Sequence, residues 1–259
     1  MVSAYGWRAF FFVGLLPALL TLYVRRSIPE TPEWVALRNN PSSKQPGGLS
    51  FFRLFSREWF PLAAIIFVMM FASFGMNWPV LALMPTYLKS IGYSPLGVGH
   101  VMEVASFGAL FGYWFSGFLG DWIGTRWAIV SVMLASLVVI VLTFTFATSG
   151  PTTLGVLIFL LQFTNLGITG LLPIYIVEQF GVGVRAAGLG TTYNLGSLAG
   201  GLSPIWGAAL AGWIGLGPAL GALIFFWTLV CASIIGFELP KRVRRAWSGK
   251  VEPEAAALP

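Results

Sequence analysis

The sequence predicts an all-α polytopic membrane protein with about seven transmembrane helices. Of its 259 residues, 57% are hydrophobic and only 9% are charged, and the mean hydropathy is +0.82. Soluble domains carry about 25% charged residues, so this chain lacks the charge to cover a water-facing surface. Its apolar runs are continuous, whereas membrane-spanning strands alternate in polarity over about ten residues. Helices that cross a membrane are therefore favoured over strands.

Apolar segments bounded by charged residues or by Gly/Pro turns account for the predicted spans. The seven segments cover approximately residues 9–24, 60–88, 98–120, 127–148, 153–177, 186–214 and 218–237. A helix needs about 17–25 residues to cross a bilayer. The first segment is near the lower limit, and the second and sixth are long enough to tilt.

The basic residues predict the orientation of these spans. Of the 15 lysines and arginines, 13 lie in the first, third and fifth connections and in the C-terminal tail. Arg8 and Lys89 lie on the opposite side. Because positively charged connections stay in the cytoplasm, we expect the first connection and the C-terminus to be cytoplasmic.

A polar stretch separates the first span from the other six. It contains four prolines and a Gly-Gly pair, a composition typical of a flexible linker. The first apolar run ends in Arg25-Arg26 without a small-residue cleavage site, which favours a retained span over a signal peptide. The predicted organisation is a lone transmembrane helix over 1–26, a cytoplasmic linker over 27–59, a six-helix bundle over 60–238 and a basic cytoplasmic tail over 239–259.

Several function classes are excluded at this stage. Cys231 is the only cysteine and His100 the only histidine, so a disulfide framework or a zinc cluster is not expected. No nucleophile–base arrangement or phosphate-binding loop is present, so we expect neither an enzyme nor a cofactor. The basic residues flank apolar runs, a pattern of membrane orientation rather than of nucleic-acid binding.

Small residues recur at every fourth position in two spans. They are Gly108, Gly112, Ser116 and Gly120 in the third span, and Gly196 and Gly200 in the sixth. Such spacing lets helix backbones approach closely in lipid. Static packing and the sliding of smooth helix faces during transport both remain open.

Polar side chains inside the spans are candidate binding groups, because they are costly in lipid unless they face a protein interior or a wet cavity. The candidate substrate-binding residues are Asn77, Trp78, Gln162, Asn165, Tyr193 and Asn194. We expect the four amides to lie on the polar face of the bundle that lines a path. Hydrogen bonding between helices is the alternative for each of them.

Glu103 is the one acid well inside an apolar run, which makes it the candidate proton-coupling residue. It lies close enough to the outer end of its span that it could instead reach water.

The connection between Gly120 and Arg126 is the most informative short motif. Its glycines permit a tight turn between antiparallel helices, and Asp121 and Arg126 can interact with the dipoles and charges of a neighbouring helix. A generic short turn is the alternative.

This motif, Gly-Asp-x-x-Gly-x-Arg, resembles the cytoplasmic signature loop of the major facilitator superfamily between helices eight and nine. Further segments resemble the sialate:proton symporter family within it: Gly6-Trp7-Arg8-Ala9, Trp78-Pro79, Pro85-Thr86-Tyr87 and Arg185-Ala186-Ala187-Gly188. The resemblance implies the equivalent of helix six followed by the C-terminal six-helix half of this fold.

The resemblance also implies a function. It is secondary active transport of a small organic anion, sialate or a lactate-like monocarboxylate, by proton symport in a bacterial inner membrane. Carriers of this fold bind substrate between two six-helix halves, so an N-terminal half or a second copy would be needed for a complete path. Gly120, Asp121, Gly124 and Arg126 would form the gating loop. The alternatives are an inactive or partner-dependent fragment and a seven-helix receptor.

Overall fold

A computed structural model describes residues 15–27, the single positions 29, 32, 35 and 39, and residues 50–255. The described elements are helices joined by turns, which confirms the all-α class. The chain divides into two units, residues 1–45 and 46–259. The predicted start of the first span, the Gly6–Ala9 motif and most of the linker lie outside the described residues.

The N-terminal unit contributes helix α1 (Leu15–Ser27). Its described side chains are exposed, and those of Leu19 and Leu20 are apolar. An exposed apolar helix suits a lipid environment better than water.

The second unit consists of α2 (Ser50–Arg53), α3 (Phe60–Ser90), α4 (Pro95–Ile123), α5 (Thr125–Thr145), α6 (Pro151–Asn165), a 3₁₀ turn (Gly167–Gly170), α7 (Leu172–Gln179), α8 (Arg185–Gly200), α9 (Ser203–Ile214), α10 (Leu216–Gly236) and α11 (Leu239–Ala255).

Within the part of the chain that the structure describes, four helical segments are long and apolar enough to cross a membrane. They are Phe60–Ser90, Thr125–Thr145, Pro151–Gln179 and Leu216–Gly236, and they coincide with four of the predicted spans. The α4 segment and the α8–α9 pair are rich in glycine, and the latter also carries threonine and asparagine, which lowers hydropathy. Their crossing of the membrane stays a prediction, as does that of the first span.

Proline and glycine set the ends of these helices. Pro95 and Pro151 are the first residues of α4 and α6, where a missing N–H costs nothing. Gly124 separates α4 from α5 with a φ of +84°, and Gly215 separates α9 from α10 with a φ of +85°. Only glycine adopts such angles without strain.

Two predicted spans are interrupted. The span predicted over 153–177 contains the 3₁₀ turn, and the span predicted over 186–214 breaks between α8 and α9. Pro173 and Pro204 each stand at the start of the following helix. Because proline has no backbone N–H, neither residue can donate a hydrogen bond to a carbonyl of the preceding turn. The regular α-helix is therefore interrupted within both predicted spans.

The fourth-residue repeats are packing surfaces. A β-carbon added to Gly108 would lie 2.3 Å from the Phe159 carbonyl oxygen, and one added to Gly112 would lie 2.3 Å from that of Phe163. At Gly196 and Gly200 it would lie 2.5 Å and 2.4 Å from the β-carbons of Met70 and Phe74. These glycines bring α4 against α6 and α8 against α3 at backbone distance.

Helix α3 packs against α8, α9 and α10. Its methionines Met69, Met70, Met76 and Met84 are completely buried. Large apolar side chains such as Trp122 and Trp213, in the last turns of α4 and α9, are instead among the most exposed. Exposed tryptophans at helix ends are typical of membrane–water interfaces.

Candidate functional site

A cavity of about 170 Å³ opens between α3, α4, the α6–α7 segment and α8. It is lined by Met70, Ser73, Phe74, Asn77, Trp78, Leu81, Tyr113, Leu166, Thr169, Leu172 and Tyr193. The residues from α3 recur at every third or fourth position, so one face of this helix forms a wall.

The break between α6 and α7 forms the opposite wall. In the 3₁₀ turn, Gly167 lies against the backbone of Gly112, where a β-carbon would be 2.6 Å from the Gly112 α-carbon. This close approach carries Leu166 and Thr169 to the cavity beside Tyr113. Thr169 Oγ1 lies 3.3 Å from the Tyr113 hydroxyl and 2.7 Å from the Leu166 carbonyl oxygen.

Three of the six predicted substrate-binding residues line this cavity: Asn77, Trp78 and Tyr193. The Asn77 side chain is buried, and its Nδ2 donates to the Ser73 carbonyl at 2.9 Å. Among the described residues no donor reaches Asn77 Oδ1. The Tyr193 ring packs edge-on against Phe74, with ring centres 5.2 Å apart.

Gln162 and Asn165 are not among the residues that line the cavity. Both side chains are buried, and Asn165 Nδ2 donates to the Met76 carbonyl at 3.4 Å, which links α6 to α3. Within the described part of the chain, Gln162 Oε1 and Asn165 Oδ1 also have no donor.

Asn194 is exposed, does not line the cavity, and donates to the Gly190 carbonyl of its own helix at 2.6 Å. The structure thus separates the four amides that the sequence grouped on one polar face. The side chains of Asn77, Gln162 and Asn165 are buried, whereas that of Asn194 is exposed.

Tyr113 and Ser73 are lining residues that the sequence reading did not select. Tyr113 stands in the run Phe111–Phe115, whose other aromatic residues are largely exposed. The sequence did not indicate that this hydroxyl lines a cavity, because a tyrosine at the membrane interface would stand in the same kind of aromatic run. Ser73 could have been noticed by its position one turn before Asn77.

Glu103 lies on the exposed surface of α4 and outside the cavity lining. Its Oε2 is 3.7 Å from His100 Nδ1, and the two side chains are 65% and 69% exposed. The contact becomes an ion pair when His100 is protonated. The proton-coupling role of Glu103 stays a prediction.

The predicted gating loop connects two distant parts of the bundle. Arg126 Nη1 lies 3.1 Å from Glu238 Oε1, and Arg126 Nη2 donates to the Gly236 carbonyl at the end of α10. Glu238 Oε1 also accepts from Lys241 Nζ at 2.9 Å. This hydrogen bond from Lys241, with the nearby positive charges, lowers the pKa of the Glu238 carboxyl.

Gly120 and Asp121 of the predicted gating loop have different surroundings from Arg126. Gly120 packs on Leu171, where a β-carbon would lie 3.0 Å from a Leu171 methyl carbon. Asp121 is exposed in the last turn of α4, three residues before the Gly124 turn.

The basic helix α11 is docked at the same end of the bundle. Arg244 Nη1 donates to the Gln179 carbonyl at the end of α7 at 3.1 Å, and its guanidinium lies 5.8 Å from the Trp59 ring centre. Trp59 in turn packs against Phe180. Among the described residues, no cluster of three or more His, Cys, Asp or Glu side chains could hold a metal ion.

Comparison with known proteins shows which family this sequence matches. The sequence profile of the Major Facilitator Superfamily matches residues 1–204. The chain is 34% identical over 241 residues to the sialic acid transporter NanX of Escherichia coli (strain K12), covering 93% of this chain and 58% of NanX. It is 26% identical over 247 residues to the cis,cis-muconate transport protein of Acinetobacter baylyi, covering 91% of this chain and 58% of that protein.

A third relative is the citrate-proton symporter of Salmonella typhi, which is 24% identical over 246 residues, with 91% of this chain and 52% of the symporter covered. The chain therefore spans about half the length of the curated relatives that it matches. The family profile covers more than half of the chain and agrees with the signature loop around Asp121. This chain belongs to the Major Facilitator Superfamily.

Proposed function

We propose that this chain forms part of a secondary active transporter that moves a small organic anion together with a proton. The cavity around Asn77, Trp78 and Tyr193, in a chain of this superfamily, is the observation that carries the proposal. The relatives are named for sialic acid, cis,cis-muconate and citrate, which are all carboxylates. Sialate and a lactate-like monocarboxylate are the proposed substrates.

The size of the cavity supports a shared binding site. Pockets that enclose a drug-sized ligand measure about 300–1,000 Å³, so a cavity of about 170 Å³ holds a small acid or one end of a larger one. Carriers of this architecture bind substrate between two halves. We therefore propose that an N-terminal half or a second copy completes the path.

The substrate carboxylate would bind to the opposing surface. Among the described residues that line the cavity, none carries a charged side chain. A carboxylate binds best to arginine or lysine. We propose that Asn77, Trp78 and Tyr193 contact the substrate directly. Gln162 and Asn165 would support these residues from inside the bundle. Asn194 would face the partner surface.

The remaining roles follow the sequence predictions. Glu103 is the proposed proton carrier, and Gly120, Asp121, Gly124 and Arg126 form the proposed gating loop. We propose a bacterial inner membrane location with the C-terminus in the cytoplasm. The proposed organisation is a lone helix over 1–26, a linker over 27–59, a bundle over 60–238 and a basic tail over 239–259.

Counterflow tests this function. The chain is reconstituted into vesicles at a density at which copies can pair, and exchange of labelled lactate and sialate is measured with and without a proton gradient. We expect exchange of at least one acid, with accumulation only when the gradient is imposed. Asn77→Leu should reduce exchange, whereas Ser106→Ala, on the exposed face of α4, should not. Absence of exchange for both acids, with or without an added N-terminal half, would contradict the proposal.

A further inference from the structure

The α2 segment, residues 50–59, carries an exposed cluster of phenylalanines before the start of α3. The Phe51 ring packs edge-on against the rings of Phe52 and Phe55, with ring centres 5.4 Å and 5.3 Å apart, and all three side chains are exposed. Leu54, in the same segment, is buried, and α2 packs against α8. The cluster is therefore held on the bundle, and an exposed apolar patch of this kind marks a surface that contacts a membrane or another molecule.

An apolar groove of about 180 Å³ lies beside this cluster, between the α2 segment, the start of α3 and α8. Its lining includes Leu54, Phe55, Phe60, Ala64, Phe67 and Leu195. Among the described residues that line it, only Thr191 and Thr192 are polar, and the Thr192 hydroxyl already donates to the Gly188 carbonyl of its own helix at 2.7 Å. Such a groove suits a hydrocarbon chain, because it would leave the polar groups of a ligand with few partners.

Two exposed arginines stand in the same segment, Arg53 and Arg57. Within the described part of the chain, neither guanidinium forms an ion pair, and Glu58 is the one acid of the segment. A guanidinium presents a planar fork of donors that matches the oxygens of a phosphate. The segment therefore places groups that bind phosphate beside a groove that suits hydrocarbon.

This segment also lies at the level where lipid headgroups are expected. It precedes α3, which is long and apolar enough to cross a membrane. Trp59, the last residue of the segment, lies 5.8 Å from the Arg244 guanidinium of α11, so the basic helix lies at the same end of the bundle. Residues 50–59 and 238–247 together carry six basic and two acidic side chains. A positive surface at the end of a membrane span attracts anionic lipids.

We infer that the α2 segment and the apolar groove form a binding site for an anionic phospholipid. Arg53 and Arg57 bind the phosphate of the headgroup, one acyl chain lies in the groove, and Phe51 and Phe52 contact the neighbouring hydrocarbon. A soluble phosphorylated ligand would engage the arginines but leave the groove and the phenylalanines uncovered, whereas a bilayer lipid engages all of them. The site is separate from the cavity around Asn77 and does not depend on which substrate is carried.

Competition between two lipids with identical acyl chains tests this site. The full chain in a non-ionic detergent is given an equimolar mixture of phosphatidylglycerol, which is anionic, and phosphatidylcholine, whose choline cation offsets its phosphate. The lipids that remain bound are counted by native mass spectrometry. We expect phosphatidylglycerol to be retained about twentyfold over phosphatidylcholine, because each arginine near the headgroup contributes a preference of about fivefold.

Variants assign the preference to this site. Arg53→Gln combined with Arg57→Gln should reduce it to within about threefold, whereas Lys89→Gln, which removes an exposed cation at the other end of α3, should leave it unchanged. Ala64→Leu narrows the groove and should lower retention of both lipids several-fold. An excess of glycerol 3-phosphate, which offers a phosphate without acyl chains, should not displace phosphatidylglycerol from the wild-type chain.

Each remaining outcome contradicts part of the inference. Equal retention of the two lipids by the wild-type chain would overturn anionic-lipid binding, even if no variant folded. Displacement by glycerol 3-phosphate would show a site for free phosphate instead. A preference that survives the double arginine variant, or that is lost equally in Lys89→Gln, would place its origin elsewhere, and unchanged retention in Ala64→Leu would overturn the role of the groove. Counterflow is measured separately, so each of these results leaves the proposed transport function standing.

Discussion

Arg126 and Glu238 form an ion pair between the start of α5 and the residues that follow α10, with Arg126 Nη1 and Glu238 Oε1 3.1 Å apart. The same guanidinium donates to the carbonyl of Gly236, the last residue of α10, 110 positions along the chain. A cation at the carbonyl end of a helix is favourable because it complements the helix dipole. The turn at Gly124 therefore cannot move independently of the end of α10 unless these contacts break.

Asp121→Asn is expected to lower the transport rate and to leave substrate affinity within a few-fold of the wild type. Asp121 is exposed at the end of α4 and does not line the cavity, so the proposed gating role predicts an effect on helix movement rather than on substrate binding. Counterflow rate and equilibrium binding are measured on the same preparation. A collapse of affinity at an unchanged rate would refute the gating role.

Arg126→Gln and Glu238→Gln should each slow exchange several-fold, and the double variant should be no slower than the worse single one. The two side chains contact each other, so their effects are not additive. Arg126→Lys should recover only part of the rate, because a lysine cannot contact Glu238 and the Gly236 carbonyl with one planar fork. Strictly multiplicative single effects would show that the two residues act separately.

Acidification should weaken the end of α10 through Glu238. The hydrogen bond from Lys241, followed by the charges of Lys241 and Arg126, lowers the pKa of Glu238 from its ordinary value of 4.5. A carboxyl with a lowered folded-state pKa contributes stability above its ordinary pKa and loses it as the pH falls through the lowered value. Thermal unfolding in detergent between roughly pH 6 and pH 3 should therefore decline less steeply in Glu238→Gln than in the wild type. Parallel declines in the two proteins would argue against this contribution.

Gly112→Ala should destabilise the bundle by about 1–3 kcal/mol, the usual cost of overpacking. A β-carbon at Gly112 would collide with the Phe163 carbonyl, which belongs to backbone and cannot rotate away. Gly117→Ala on the same helix is the control, since nothing lies within 4 Å of its added carbon. The two midpoints of thermal unfolding are compared, and equal midpoints would mean that α4 and α6 approach less closely.

These glycines illustrate what a sequence can predict here. The fourth-residue repeat at Gly108 and Gly112 has one physical use in a helix, close approach to a neighbour, and the structure shows it. The position of a polar residue around a helix is different, because it depends on which neighbour that face meets. Asn165 became a bridge to Met76, whereas Asn194 remained exposed, although both are amides in apolar spans.

The interrupted spans show the same limit. Continuous apolar runs predicted single helices, but the span over 153–177 contains a short 3₁₀ helix, in which Gly167 lies against the backbone of Gly112. Prolines at the start of α7 and α9 were visible in the sequence. The residue that packs against the 3₁₀ turn belongs to another helix, and the sequence did not show which helix that would be.

Glu103→Gln should abolish accumulation driven by a proton gradient and preserve counterflow, which needs no net proton movement. Its carboxyl is exposed beside His100, so the substitution should not disturb packing. His100→Gln is the matched control, because His100 Nδ1 lies 3.7 Å from Glu103 Oε2. This variant should keep gradient-driven accumulation. If Glu103→Gln accumulated substrate normally, the proton would have to be carried elsewhere.

A single copy of this chain should show no uptake. The cavity lies at a surface where Trp78 is 37% exposed and Tyr113 is 40% exposed, so its polar lining would face lipid unless another protein surface covers it. Each polar group left unpaired in lipid costs on the order of a kcal/mol or more. Pairing with a second copy or with an N-terminal half removes that cost and supplies the opposing wall of the path.

Vesicles prepared at falling protein density test this directly, with subunits counted by stepwise photobleaching of a single dye on each chain. Uptake per chain should vanish as the population becomes monomeric and should return when a separately produced N-terminal half is added. Asn194→Leu provides a second reading, because this exposed amide is proposed to face the partner and its loss should weaken pairing more than it weakens substrate binding. Robust uptake by vesicles that each hold one chain would overturn this prediction.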